Sequence, residues 1–318
     1  MRRDGPARVG EAAPWSQPGV SESESQDTVP QYGTYLVESG LSEGTVKSYL
    51  GDIRHFASWL AHTHAKPPLT VTEEDIRSYC LELATEKAHT PATVNRRLQS
   101  IRKFYRYALD SALLKEDPSL GIKLLPQPRS EGPRGLTRSE VGRLLDAVRR
   151  EASGLAKRDY AIIQLLLQTG IRVGELARLR VADVALSEDK AVLKVRGQGT
   201  SHGREIPLSK SVQRAISTYL GERPSSRRDP LFLSRNGDPL SARSVQRLVN
   251  SYAREAGLGR VSTYTLRQTC GERLLRDTGD LSLVAMLMGH KRLETAIKYV
   301  LPKQKDLTEV AESSSLNL

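Results

Sequence analysis

The chain has 318 residues, with 48 lysines and arginines against 37 acidic residues and a formal net charge of +11. This length suits two domains, and the charge favours a polyanionic partner such as nucleic acid. The apolar runs are shorter than the roughly 18 residues of a membrane span, and two cysteines exclude a disulfide scaffold or a cysteine-based zinc site. No apolar signal segment follows Arg2 and Arg3, so we expect a cytoplasmic protein with no membrane partner.

Residues 1–30 combine proline and glycine with polar runs, which predicts a disordered leader. They contain three arginines and five acidic residues, so the remaining chain carries a net charge of +13. The positive charge therefore belongs to the part of the chain that is predicted to fold.

Residues 31–122 have apolar residues at helical spacing throughout, which predicts a helical domain. Thr72 with Asp75 resembles a capping box, and Thr90 followed by Pro91 suits the start of another helix. The helix after Thr90 has five cations and no acid between 94 and 108. A row of cations is commonly a solvated helix face, but this excess favours contact with DNA phosphates. The predicted DNA-binding residues are Arg96, Arg97, Arg102, Lys103 and Arg106.

Residues 123–136 hold three prolines and two glycines, which predicts a linker. Thr137 and Glu140 then form a second capping-box pattern, which opens a domain over 137–302. This domain begins with helices, and two short strand patterns at 190–197 and 203–208 flank a glycine-rich turn before more helices follow. The predicted fold class is therefore mostly α (α+β), with a small antiparallel sheet in the second domain and a tail at 303–318.

Common enzyme motifs are missing from the sequence. It has no nucleotide-binding G-x-x-x-x-G-K-[ST] loop, no G-x-G-x-x-G, no H-E-x-x-H, no G-x-S-x-G and no obvious acidic metal cluster. We therefore expect neither a metal nor a cofactor. Chemistry on a phosphate would then depend on cationic hydrogen-bond donors and a side-chain nucleophile.

Three segments of the second domain fit that requirement together. Arg172 follows a predicted helix end at Gly170, Arg267 lies near the start of a later helix, and His290 precedes Tyr299 by nine residues. Two arginines suit the two non-bridging oxygens of one phosphodiester. His290 could donate a hydrogen bond or move a proton, and Tyr299 could be the nucleophile. Each residue alone is more commonly a core or surface residue.

These segments carry a resemblance to a known family. The run T-G-I-R-V-G-E-L at 169–176, the arginine at 267 and the M-G-H at 288–290 followed by Tyr299 occur in the order of the tyrosine recombinase (phage integrase) family. Over residues 35–302 the chain resembles this family, and especially its Xer-like members. The resemblance implies a SAM-like core-binding domain, then a catalytic domain in which Arg172, Arg267, His290 and Tyr299 are catalytic and Glu175 is supporting.

The chain departs from the family pattern at two catalytic positions. Tyr264 stands where the family has a histidine, and it either binds the phosphate or packs; Gln268 replaces the histidine usual after the second arginine. Gln198 stands where the family has a lysine that protonates the leaving 5′-oxygen. Candidate replacements for that acid are Lys194, His202 and Arg204.

The function implied by the resemblance is site-specific DNA recombination through a 3′-phosphotyrosine and a four-way junction. The implied partner is double-stranded DNA with an inverted-repeat-type core site, bound by a homo-tetramer, with an accessory protein as a further candidate. The tail at 303–318 is a candidate for exchange with a neighbouring subunit. Two alternatives stay open: a DNA-binding protein with weak or lost cleavage, and a type IB topoisomerase-like enzyme. The role in integration, transposon movement or resolution, or chromosome-dimer resolution is left open.

Overall fold

The computed structural model describes residues 22–127, 134–187, 191–197, 203–226 and 229–290, with the backbone alone for 22–27. The chain divides into two compact units, Met1–Ser130 and Glu131–Leu318. The division falls inside the segment predicted as a linker. Within the described ranges, no helix has the length and apolar character needed to cross a membrane.

The first unit is built from helices that pack around one hydrophobic core. The helices are α1 (Glu22–Glu38), α2 (Glu43–Thr63), α3 (Glu73–Thr85) and α4 (Pro91–Asp110). The predicted caps are confirmed, because Thr72 and Asp75 form a reciprocal capping box and Thr90 caps α4 with Pro91 at its first position. These caps satisfy amide groups that have no partner inside a helix.

The disordered leader predicted for 1–30 is wrong for residues 22–30, because α1 begins at Glu22. The helix contains Pro30, which removes one backbone donor. Its stability comes from packing, since Tyr32 is fully buried and its ring lies 5.3 Å from Phe104 and 5.4 Å from Tyr107. Contacts with α4 therefore outweigh the weak local preference for a helix.

Both ends of the predicted linker 123–136 are bound to the unit beside them. The main-chain N–H and C=O groups of Leu125 form two hydrogen bonds of 2.8 Å with the side-chain amide of Asn95 in α4. The amides of Gly135 and Leu136 donate to Glu272 and Thr269 at 3.1 and 2.8 Å. Residues at both ends of the predicted linker are therefore held by contacts with the neighbouring unit.

The second unit packs its helices around one central helix, with a small sheet beside them. Its helices are α5 (Arg138–Arg150), α6 (Ala156–Thr169), α7 (Val173–Leu176), α8 (Lys210–Glu222), α9 (Ala242–Glu255), α10 (Thr263–Thr278) and α11 (Leu281–Met288). The central helix α6 is almost entirely buried and contacts α5, α8 and α10. Because α6 lies in the core, its C-terminal end is held in place, and the next segment of the chain starts from that end.

The sheet has three antiparallel strands in the order β1 (Val184–Ala185), β2 (Val192–Val195) and β3 (Arg204–Pro207). Strands β2 and β3 confirm the predicted pair, whereas β1 and helix α8 had not been identified from the sequence. Val195 pairs with Arg204, and Lys194 pairs with Glu205. Because side chains alternate along a strand, Arg204 and Lys194 lie on opposite faces of the sheet.

Candidate active site

Arg172 occupies the turn between α6 and α7. Helix α6 ends at Gly170, whose φ of +60° is the left-handed conformation that glycine adopts most readily. Arg172 is the N-cap of α7, and its amide donates to Glu175 Oε2 at 2.7 Å. Its guanidinium donates to Glu175 Oε1 at 3.1 Å and to the Gly289 carbonyl at 2.7 Å. The side chain is 43% exposed, so it is held and still reachable from solvent.

Glu175 links Arg172 to a second arginine. Arg204, on β3, donates through Nη1 and Nη2 to the two carboxylate oxygens at 3.0 and 2.9 Å. Burial acts to raise the pKa of Glu175, but hydrogen bonds from Arg204 and from the Arg172 amide lower the pKa to about 2. Glu175 is therefore a carboxylate at neutral pH, as a group holding two guanidinium ions must be.

Arg267 approaches the same place from α10. It is 6% exposed, and its guanidinium donates to the carbonyls of Gly170 and, at 2.7 Å, of Met288. Two neighbouring carbonyls of the chain, those of Met288 and Gly289, thus accept hydrogen bonds from Arg267 and Arg172. The two arginines predicted from separate motifs are brought together at the end of α11.

His290 follows directly after this helix end. Gly289 ends α11 with a φ of +66°, and the His290 amide donates to the Ala285 carbonyl at 2.9 Å. Burial lowers the pKa of His290 to about 4, and the positive charges of Arg267, Arg172 and Arg204 act in the same direction. The imidazole is therefore neutral at pH 7 and sits among cations that a phosphate would neutralise.

Tyr299, Gln198 and His202 lie outside the described residues. Lys194 is 60% exposed, pairs with Glu205 at 3.5 Å and lies on the sheet face opposite Arg204. This placement separates Lys194 from the cluster and disfavours it as the replacement acid. Tyr264 is 46% exposed in the first turn of α10, one turn before Arg267, so it does not serve as a core residue.

Gln268, which stands where the family has its second histidine, is buried. Its side-chain amide donates to Glu272 at 2.9 Å, and Glu272 also accepts from the Gly135 amide. Gln268 therefore helps to hold the start of the second unit against α10. Within the described ranges, no group of three His, Cys, Asp or Glu side chains could hold a metal ion.

The five cations predicted to bind DNA all lie on α4 and all contact the first unit. Arg96 pairs with Asp52, and Arg97 donates to the Tyr79 hydroxyl at 3.4 Å. The other three contact the Ile122 carbonyl, the Tyr35 ring and Asp110, in the order Arg102, Lys103 and Arg106. Arg96 and Arg106 are exposed, with 51% and 70% of their side chains accessible, and the other three are half-buried.

A cleft with three arginines borders Glu175 in the second unit, and these arginines were not predicted from the sequence as site residues. Its arginines are Arg178, Arg180 and Arg196, and Arg196 pairs with the buried Asp183 at 2.7 Å. A signal was present, since two of these arginines lie in the run L-A-R-L-R directly after the first motif. Three guanidinium groups beside the arginine site extend the positively charged surface.

Both units of the chain match known proteins. Residues 134–305 match the model of the phage integrase family, and residues 31–114 match the phage integrase N-terminal SAM-like domain. Tyrosine recombinase XerC of Alcanivorax borkumensis is 32% identical over 287 residues, which is 87% of this chain and 91% of that protein. Tyrosine recombinase XerD of Listeria innocua is 30% identical over 272 residues, covering 83% and 90%.

Solved structures share the fold. The XerH recombinase bound to its palindromic difH substrate has a TM-score of 0.71 at 18% identity, covering 91% of this chain and 95% of that one. A lambda integrase dimer bound to a COC′ core site has a TM-score of 0.68 at 17% identity, covering 86% and 94%.

A SAM-like helical unit followed by a unit that matches the phage integrase family defines the class of the tyrosine recombinases. The chain belongs to the phage integrase family and is an enzyme of site-specific DNA recombination, with Xer recombinases among its relatives. The predicted family, fold class and activity are confirmed.

Proposed function

We propose that this chain cuts and rejoins duplex DNA by transesterification, with Tyr299 as the nucleophile. The observation that carries the proposal is the convergence of Arg172, Arg267 and His290 at the end of α11. A phosphodiester presents two non-bridging oxygens, and two adjacent guanidinium groups match them. The family match extends to residue 305 and so includes Tyr299.

In the proposed reaction, the Tyr299 oxygen attacks the scissile phosphorus and the bond from phosphorus to the 5′-oxygen breaks. The tyrosine proton passes to an acceptor, and the departing 5′-oxygen takes up a proton. The products are a 3′-phosphotyrosine and a free 5′-hydroxyl. Because one phosphodiester replaces another, no nucleotide is consumed, and a 5′-hydroxyl from a partner strand reverses the step. Two such exchanges pass through a four-way junction.

The site residues have separate parts in this scheme. Arg172 and Arg267 stabilise the negative charge that develops on the phosphate oxygens. His290 donates one hydrogen bond to the same group through a protonated ring nitrogen. Glu175 fixes the direction of Arg172 through two hydrogen bonds. Tyr264 is an exposed hydroxyl close to Arg267 in sequence and suits a phosphate contact.

Substitutions test which residue is the acid that protonates the 5′-oxygen. Gln198 cannot supply a proton. Once Lys194 is disfavoured by its position, the remaining candidates are His202 and Arg204. We expect Gln198→Lys to speed cleavage if the turn reaches the leaving oxygen. An unchanged rate in Gln198→Lys, together with a severe loss in His202→Ala, would assign the acid to His202.

The proposed substrate is a duplex with an inverted-repeat-type core site, bound by a homo-tetramer in the cytoplasm. An accessory protein is a further proposed partner.

The tail at 303–318 is proposed to pass to a neighbouring subunit. The tail is tested by truncation after Lys305. Analytical ultracentrifugation on paired sites should show loss of the tetramer, and an intact tetramer would contradict tail exchange.

The test of the nucleophile uses a duplex selected for binding from a random pool, with a nick placed beside the scissile phosphate. Loss of the short strand past the nick traps the covalent complex, which is measured on denaturing gels. Wild-type protein should form the complex, and Tyr299→Phe should bind with unchanged affinity and form none. A covalent complex retained in Tyr299→Phe would place the nucleophile elsewhere.

The same substrate separates this proposal from the alternatives. Gln198 and Tyr264 are the residues that favour a DNA-binding protein with weak or lost cleavage. Specific binding without any covalent complex in the wild-type protein would support that alternative. Relaxation of a supercoiled plasmid that lacks the selected site would support the topoisomerase-like alternative.

A further inference from the structure

We propose that Arg204 is a positioning residue that holds Glu175, and through it the catalytic Arg172, against the end of α11. The proposal rests on the proposed function of this site and adds a residue to it. In this proposal Arg204 positions Glu175 and is not the replacement acid, which was one of the roles considered for it from the sequence.

The guanidinium of Arg204 bridges two elements that meet at the site. Its Nη1 and Nη2 donate to Glu175 Oε1 and Oε2 at 3.0 and 2.9 Å, which is the bidentate geometry that arginine forms with carboxylates. Its Nε donates to the Leu287 carbonyl at 2.8 Å. The side chain is 12% exposed. Arg204 therefore ties α7 to the last turn of α11.

Glu175 needs Arg204 as a partner because its carboxylate has to fix the more exposed side chain of Arg172. The two oxygens accept four hydrogen bonds, two from Arg204 and two from Arg172. A carboxylate accepts about four such bonds, so each oxygen is directed by both arginines. Arg172 is 43% exposed. If Glu175 were not fixed, the long side chain of Arg172 would regain the rotamers that its hydrogen bond to Glu175 excludes.

The backbone beside Arg204 supplies an independent observation. A Cβ atom on Gly289 would lie 2.7 Å from Arg204 Nη1 and 2.8 Å from its Cζ, closer than a side chain tolerates. The φ of +66° at Gly289 also disfavours other residues. The guanidinium therefore packs directly on the main chain that joins α11 to His290, where a shift of Arg204 would move the histidine as well.

The same contacts disfavour Arg204 as the acid. Three of its five N–H groups are directed at Glu175 and Leu287. A guanidinium also keeps its proton throughout the accessible pH range, so it is a poor proton donor. Its effect on the reaction should pass through Arg172.

The first test compares Arg204→Lys, Glu175→Gln and the double variant on the nicked duplex. A lysine keeps the charge but cannot form the bidentate pair. Because a misplacement of about 1 Å costs roughly 100-fold in rate, we expect Arg204→Lys to slow covalent complex formation by about 10- to 100-fold. The double variant should be no slower than the slower single variant. Glu205→Gln, the next residue on the opposite face of the same strand, should react at the wild-type rate.

A substrate with sulfur in place of the 5′-bridging oxygen distinguishes positioning from acid catalysis, because a thiolate leaves without a proton. Loss of rate in Arg204→Lys should persist on this substrate. Recovery of the wild-type rate would assign Arg204 to proton transfer and overturn the proposal, as would fully additive losses in the double variant.

A second measurement does not depend on cleavage. With 15N-labelled arginine, the Nε–H and Nη–H signals of Arg172 report whether its guanidinium is held, and Arg172→Lys assigns them. In Arg204→Lys these signals should broaden or shift to the values of an exposed arginine, while the helical circular dichroism stays unchanged. Unchanged Arg172 signals would overturn the positioning role. If wild-type protein forms no covalent complex, the proposed function fails, and this measurement still decides the part played by Arg204.

Discussion

His290 is the residue whose titration reports most directly on the electrostatics of the site. Burial and three guanidinium charges lower its pKa to about 4, against about 6.5 for a free histidine. The unfolded chain therefore binds a proton at His290 that the folded chain rejects between these values. The contribution of His290 to stability is complete above pH 6.5 and is lost as the pH falls towards 4.

Removal of one of those charges should raise the pKa of His290. We expect Arg172→Met to move the pKa from about 4 towards the free value, because Arg172 is one of the cations that oppose protonation. The measurement is an NMR titration of the imidazole signals. Arg276→Met, in the last turn of α10, serves as the control and should leave the pKa in place. An unchanged titration in Arg172→Met would mean that the charge of Arg172 does not contribute to lowering the pKa of His290.

Most of the described site residues could be predicted from the sequence, because they lie in short local motifs. Arg172 and Glu175 are three residues apart, and Gly289 and His290 are adjacent. The part of Arg204 could not be predicted in this way. Its partners lie 29 and 83 residues away on α7 and α11, so the contact exists only after the second unit has folded.

Among the elements, the junction of α6 and α7 depends on the glycine at position 170. A Cβ atom at Gly170 would lie 3.1 Å from Met288 Cε and 3.2 Å from Cys270 Sγ, and φ there is +60°. The carbonyl of Gly170 also accepts a hydrogen bond from Arg267. A change at this residue therefore affects the helix end, the core and the position of Arg267 together.

We expect Gly170→Ala to destabilise the second unit by about 1–2 kcal/mol, since a left-handed conformation costs that much outside glycine. Gly142→Ala, inside α5 with no atom within 4 Å of the new Cβ, should instead stabilise by about 0.5–1 kcal/mol. Urea unfolding followed by circular dichroism measures both changes. Equal effects of the two substitutions would contradict the conformational argument.

Helix starts were predicted well because their signals are local. Thr72, Thr90 and Thr137 each accept a hydrogen bond from the backbone three residues later, as their side chains imply. Strand β1 has two residues and no periodicity to detect. Helix α1 was missed because burial of Tyr32, a contact with a distant helix, stabilises it.

For the whole molecule, the count of 48 lysines and arginines overstates the number of cations that are free to meet DNA. Arg96 neutralises Asp52, whose side chain is 8% exposed and also accepts from Ser100 at 2.7 Å. Arg106 pairs with Asp110 at 3.2 Å on the surface. One of these arginines therefore supports the fold of the first unit, and the other can exchange a weak surface pair for a phosphate.

We expect Arg96→Gln to lower the unfolding free energy of the first unit by about 1–3 kcal/mol, the cost of an unsatisfied buried polar group. Arg106→Gln should change stability by less than about 0.5 kcal/mol. It should reduce the slope of log affinity against log salt by about 1. Urea unfolding and fluorescence anisotropy on a labelled duplex at several salt concentrations measure the two effects. A large stability loss in Arg106→Gln would contradict this division of roles.

Three consecutive carbonyls, those of Leu287, Met288 and Gly289, accept hydrogen bonds from Arg204, Arg267 and Arg172. The acceptors are main-chain atoms, so a substitution at 287 or 288 that keeps the helix leaves all three bonds possible. A one-residue insertion or deletion before Gly289 would instead move every acceptor out of register at once. The evolutionary constraint on this segment therefore acts on its length more than on its composition, and natural variants should differ here by replacement and rarely by a gap.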